Sequence, residues 1–222
     1  MNQISHTEEN YLKAIFKLSE IDDNKVLTNA IAEKLSTTAA SVTDMLKKLA
    51  QKKLVDYEKY YGVSLSEKGK KIAKNLIRKH RLWETFLVEK LKFTWAEVDI
   101  LAEELEHINS DELTEKLEEF LGFPKFDPHG DPIPDKKGNI SYHEDVTLDH
   151  MKKNENGIIV GVIDHSSQFL QYLDKIELAL NAKIKVEDEE EFDNSKVILV
   201  NSKLKITVSQ KVGKSLLVRR IK

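Results

Sequence analysis

All four prolines of this 222-residue chain fall within one short stretch, GFPKFDPHGDPIP at 122–134. A proline ring fixes φ and removes a backbone donor, so no long helix and no central strand runs through such a segment. The segment therefore reads as a loop-rich connection, and the sequence on its two sides carries different periods. Before the prolines, apolar residues recur every three or four positions; beyond residue 156 they fall in short β-rich runs. The expected fold is mainly α, with a smaller β part at the C-terminal end.

Residues 7–21 (TEENYLKAIFKLSEI) read as an amphipathic helix, with Thr7 as N-cap and Tyr11, Leu12, Ile15, Phe16 and Leu18 as its apolar stripe. After the polar break DDNK comes a short helix at 27–35, then the small-residue turn STTAA and a third helix at 39–52. LVDYEKYYGVSLSEKG reads as two short strands around Gly62, with Lys59, Tyr60 and Tyr61 at the tip. Helix, helix, turn, helix, hairpin is the order of a winged helix-turn-helix. A long helix from Lys70 to Leu91 follows, then helices at 95–108 and 110–121, the last capped by Ser110. Their apolar positions exceed what one core of three short helices needs, which points to a dimer surface. Beyond the prolines, GIIVGVID, KIKVEDEEEF, VILV, LKITVS and LLVRRI suggest a small barrel, with SSQFLQYLDKIEL as a brief helix.

The net charge of −3 hides a strong segregation. Residues 27–81 hold 13 Lys/Arg against 5 Asp/Glu, whereas residues 82–121 hold 3 against 12. A basic module followed by an acidic one suits a surface that faces phosphates joined to one that faces cations. The chain has no cysteine, which excludes disulfides, zinc ribbons and thiolate chemistry. The N-terminal sequence lacks an apolar core of signal-peptide type, and no stretch approaches 18 apolar residues. A cytoplasmic protein without a membrane span is expected.

Within the acidic module, Glu103, Glu106 and His107 fall on one face of the helix expected at 95–108, and Asp99 joins the stripe one turn earlier. Carboxylates with one imidazole suit a hard divalent cation such as Mn²⁺ or Fe²⁺. His80 and Glu84 form a second i, i+4 pair on the long helix; such a pair alone also fits an exposed salt bridge. His6, His143 and His150 have no partner at ligand spacing and read as surface residues.

These pieces resemble the DtxR/MntR family of metal-dependent transcriptional repressors, of the manganese type, over essentially the whole chain. The matching segments are EENYLKAIF, SVTDMLKKL, RKHRLWETFL, AEELEHINSDELTEKL and PHGDPIP, with the C-terminal β part. The resemblance implies a winged helix-turn-helix at 1–72, a helical dimerisation and metal domain at 73–140, a linker at 141–156 and a FeoA-like, Src-homology-3-like barrel at 157–222. It implies a homodimer that binds double-stranded operator DNA when loaded with Mn²⁺ or Fe²⁺ and represses metal-uptake genes. It does not imply an enzyme.

By the same resemblance, Asn10, Glu103, Glu106 and His107 form a primary metal site with His80 nearby. Asn10 stands where a carboxylate or thioether is usual, with Glu9 as the alternative donor, and Glu103 stands where iron-responsive relatives often carry cysteine. A second site would draw on His80 or Glu84, Asp127, His129 and a barrel residue, Asp164 before His165; Asp99 stands where some relatives have histidine. On the DNA face the matches are Thr38, Ala40, Ser41, Thr43 and Asp44, with Lys47, Lys48, Thr7, Lys59 and Tyr60 on phosphates. Two rival readings remain open: a metal-independent winged-helix regulator, and a metallohydrolase, for which no nucleophile motif, phosphate loop or HExxH helix is present.

Overall fold

The computed structural model describes residues 4–20, 25–141 and 145–221, so His143 lies outside the described residues. The chain divides into two compact units. The first comprises Met1–His80, Leu105–Asn109 and Pro134–Asn139; the second comprises Arg81–Glu104, Ser110–Ile133 and Ile140–Lys222.

The first unit opens with α1 (His6–Ser19), α2 (Thr28–Lys34) and α3 (Ala39–Gln51). Antiparallel β1 (Val55–Glu58) and β2 (Gly62–Leu65) follow, paired from Val55↔Leu65 to Glu58↔Gly62. This is the helix-helix-helix-hairpin order expected. The N-cap of α1 is Ser5, however, and not Thr7. Ser5 Oγ accepts from the Glu8 amide at 3.3 Å while Glu8 Oε2 accepts from the Ser5 amide at 2.9 Å, a complete capping box. Thr7 therefore sits exposed inside the first turn. Leu12, Ile15, Ile31, Val42, Leu46, Leu49 and Val63 are fully buried in this unit. Fully burying each such side chain contributes about 1.5–3 kcal/mol. The long helix α4 (Glu67–Glu89) starts under the hairpin. Its first turn comes so close to Leu54 that a Cβ at Gly69 would lie 2.1 Å from the Leu54 carbonyl oxygen.

In the second unit, α5 (Trp95–Leu105) and α6 (Asp111–Phe120) precede the proline segment. Then come β3 (Val146–Thr147), a 3₁₀ turn at Leu148–His150, β4 (Asn156–Val162) and α7 (Ser167–Lys175). β5 (Lys183–Glu189), β6 (Lys196–Val200), β7 (Leu204–Val208), α8 (Gln210–Ser215) and β8 (Leu216–Ile221) complete it. The strands form an antiparallel sheet in the order β3-β8-β4-β5-β6-β7. Among the described residues no pairing joins β7 to β3, so the hydrogen-bonded ladder is open, where a closed barrel was expected. Leu148 and Met151, in the stretch expected as a linker, are buried in the core of this sheet with Ile159, Val186, Ile198 and Val218.

α5 stops at Leu105, three residues short of the expectation. Ser110 is needed in extended conformation (φ −142°, ψ 105°) to cap α6 through the Leu113 amide, so the chain must leave the helix within a few residues. Glu106 and His107 consequently lie in a turn, and the turn belongs to the first unit.

Candidate metal centres and nucleic-acid interface

In the first unit, α1 meets the turn after α5. Glu106 is fully buried, and its two oxygens face different surroundings. Oε2 lies 2.5 Å from Lys13 Nζ and 2.6 Å from His80 Nδ1. Among the described residues, Oε1 is buried and has no hydrogen-bond partner, and neither has the buried Oδ1 of Asn10. Solvent-free acceptors without donors are costly unless a cation reaches them. His107 completes the group: its Nδ1 donates to Glu9 Oε2 at 2.6 Å, and its Nε2 lies 4.0 Å from Glu106 Oε1. A carboxylate on one imidazole nitrogen fixes the tautomer and leaves the other nitrogen free to bind a cation. Glu9, weighed from sequence as a replacement for Asn10, is thus the residue that orients His107.

Burial alone would raise the Glu106 pKa, but the His80 hydrogen bond and the Lys13 charge outweigh it, and the net direction is down. Glu106 is therefore ionised at neutral pH and offers Oε1 as a charged donor. Glu103, half-buried, lies three residues upstream on α5, and Asp99 is exposed on the same helix. The His6 ring stacks on His107 with centroids 4.4 Å apart, so His6 is exposed yet has a partner that sequence spacing did not reveal.

A second group lies entirely in the second unit. Donor atoms of Glu84, Asp127 and His129 are all within 4.8 Å of one another, and all three residues are buried. Asp127 Oδ1 accepts from the amides of His129 and Asp131 at 2.8 and 2.9 Å, which shapes the proline-bounded turn around it. The next residue must be glycine: Gly130 has φ +90°, and a Cβ there would lie 2.0 Å from the Val160 carbonyl oxygen on β4. That close approach is sealed by the Val162 amide, which donates to the His129 carbonyl at 2.9 Å.

His129 Nδ1 lies 3.4 Å from Glu84 Oε1, and Nε2 is 3.2 Å from the Trp95 carbonyl. Burial works against its charge, but the Glu84 hydrogen bond and the Glu84 and Asp127 charges raise its pKa to about 9. Asp127 is also pushed up, first by burial and then by repulsion from Glu84 and Asp131. Arg81 offsets part of this charge, with Nε 3.6 Å from Asp127 and Nη2 2.9 Å from Asp131. Asp164, the expected sheet-domain donor, is outside the group, its Oδ1 accepting from the Ser166 amide at 2.9 Å. The runner-up is nearer: the His165 ring lies 5.3 Å from that of His129.

On the helix-turn-helix, Thr38 caps α3 through the Ser41 amide, and Thr38, Ala40, Ser41, Asp44, Lys47 and Lys48 are exposed. The Thr43 hydroxyl is engaged by the Ala39 carbonyl, and Asp44 pairs with Lys47 at 3.2 Å. At the hairpin tip Tyr60 is 86% and Tyr61 69% exposed, and Lys59 Nζ lies 4.9 Å from the Tyr60 ring centroid.

Three family models match the chain in series. "Iron dependent repressor, N-terminal DNA binding domain" covers residues 3–63, "Iron dependent repressor, metal binding and dimerisation domain" covers 66–135, and "FeoA domain" covers 146–220. A solved manganese-dependent transcriptional repressor in complex with manganese is 32% identical, with a TM-score of 0.84 over 96% of this chain and 100% of its own. This chain belongs to the DtxR/MntR family. Among other relatives, an HTH-type transcriptional regulator of Methanocaldococcus jannaschii is 36% identical over 118 residues, 53% of this chain and 94% of that protein. The iron-dependent repressor IdeR of Mycobacterium tuberculosis is 33% identical over 134 residues, 60% of this chain and 58% of IdeR's own length. Sequence reasoning did not single out Lys13, Arg81 or Asp131. Lys13 was detectable in principle, since it lies three residues after Asn10 and so on the same helix face.

Proposed function

We propose that this protein is a homodimeric transcriptional repressor that binds operator DNA when charged with a divalent cation, Mn²⁺ or Fe²⁺, and controls metal-uptake genes. The observation that carries the reading is the pair of buried, partnerless acceptors, Asn10 Oδ1 and Glu106 Oε1, beside a histidine held by a carboxylate. Oxygen and imidazole donors without any cysteine suit a hard or borderline ion. Asn10, Glu106 and His107 would hold the ion, and an ion bound there would supply the positive charge those donors share. Because Asn10 lies on the first helix of the DNA-binding domain, its position and that of the acidic turn become one equilibrium. The Glu84, Asp127 and His129 group is the second site, with His165 rather than Asp164 as its neighbour from the sheet domain. The exposed N-terminal face of α3 enters the major groove, and Lys47, Lys48, Lys59 and Thr7 contact phosphates.

The functional division is a winged helix-turn-helix DNA-binding domain at 1–72, a dimerisation and metal domain at 73–140, and a FeoA-type domain from 157 with 141–156 leading into it. No catalytic role is assigned to either acid/histidine group. The test is an anaerobic gel-shift titration of promoter DNA with Mn²⁺ and Fe²⁺. Binding that rises with metal and is lost in Glu106→Ala and His107→Ala supports the sensor. Equal binding with chelator present, or in both variants, returns the protein to a metal-independent winged-helix regulator.

A further inference from the structure

Lys13 is a nearly buried ammonium standing inside a group of metal-type donors. Its Nζ lies 2.5 Å from Glu106 Oε2 and 3.2 Å from His80 Nδ1, and those two atoms are 2.6 Å apart. With its proton removed, the His80 nitrogen would join the carboxylate oxygen as a donor for a cation, and the cation present there belongs to the chain. The other oxygen of the same carboxylate, Oε1, is buried without a hydrogen-bond partner among the described residues and lies 4.0 Å from His107 Nε2. Glu106 thus divides two adjacent cation positions, one filled by Lys13 and one open.

We infer that Lys13 is an internal cation that fills one of two neighbouring positions and so restricts this centre to a single divalent ion. The inference rests on the sensor reading above but goes further, since it assigns stoichiometry to a residue that is not a ligand. Lys13 acts here as a positioning and specificity-determining group. It holds Oε2, leaves Oε1 to the side of His107, and by its charge opposes a second cation. His80 belongs with it as the second holder of Oε2 rather than as a donor to the open position.

The experiment uses the full-length protein carrying Glu84→Gln, which removes a donor shared by the chain's other acid/histidine groups, and manganese chloride as the only probe. Stoichiometry is read by equilibrium dialysis and by electron paramagnetic resonance of the bound Mn²⁺. Lys13 as found, and Lys13→Arg, should bind one ion per chain with the uncoupled spectrum of an isolated Mn²⁺. Lys13→Glu, which replaces the ammonium by a carboxylate, should bind two ions per chain, with the broadened spectrum of a coupled pair. Lys13→Gln keeps His80 as a holder of Oε2 and guards against a Lys13→Glu protein that does not fold. Loss of the repelling charge should tighten Mn²⁺ binding about tenfold, even at the dielectric constant of water. One ion in Lys13→Glu, or weaker binding in Lys13→Gln, overturns the inference and leaves Lys13 a structural prop. No ion in any of these proteins overturns the sensor reading itself, and this inference with it.

Discussion

Glutamine at position 106 is the sharpest probe of the metal-free protein. Glu106 is fully buried and the Lys13 side chain is 8% exposed, so the pair between them is screened by almost no water. Removing one member of such a pair costs about 3–5 kcal/mol, because the other charge is left buried without compensation. Glutamine retains an acceptor for Lys13 and His80, which places Glu106→Gln near the lower limit, at about 3 kcal/mol. The double variant Lys13→Met with Glu106→Leu removes both charges and should cost about 1 kcal/mol or less. Both chain segments lie in the first unit, so the readout is hydrogen exchange of the α1 amides of Leu12 and Ile15 with chelator present. A loss of about 3 kcal/mol appears as roughly 150-fold faster exchange. Unchanged exchange in Glu106→Gln, or a double variant as unstable as the single one, would refute the view that charge compensation holds α1 to the acidic turn.

The remaining predictions concern the second group and the DNA-binding domain. His129 has a folded pKa of about 9, above its ordinary value, so its charged pairing stabilises the protein fully below about pH 6.5 and is lost as pH rises through 9. An ion entering that group must displace the proton, so Mn²⁺ affinity there should rise about tenfold per pH unit from 7 to 9 and then level off. Calorimetry at three pH values checks this, and a flat profile contradicts it. Gly130→Ala forces a side chain against the Val160 carbonyl at φ +90° and should destabilise the second unit by about 2–4 kcal/mol. Urea unfolding followed at the tryptophans reads the change, since Trp83 and Trp95 both lie in that unit. Lys48→Ala should lower the slope of log affinity against log salt for operator DNA by about 1, with little effect on sequence preference.

Much of the helical architecture is legible in sequence because its cause is local. The apolar stripes of α1 and α3 and the Ser110 cap are written in neighbouring residues. Two local signals competed at the start of α1, and Ser5 prevailed over Thr7 because Glu8 lies three residues after Ser5 and closes the reciprocal box. The end of α5 was harder to place, since its apolar pattern continues through Ile108 while the cap of α6 dictates the break. Short pieces such as β3 and α8 have too few residues to show a period. The donors at 106, 107, 127 and 129 are visible as residue types, but their partners come from far along the chain. Lys13 and Glu106 are 93 residues apart, and no spacing rule connects them. Asp164 and His165 are adjacent in sequence, and only the path of the backbone after β4 decides which one approaches His129.

The most direct measurement is a manganese anomalous difference map from crystals of the full chain grown with excess Mn²⁺. The account predicts a peak in contact with Asn10 Oδ1, Glu106 Oε1 and His107 Nε2, with Lys13 still on Oε2. Density confined to Glu84, Asp127 and His129, or none at either place, would contradict it.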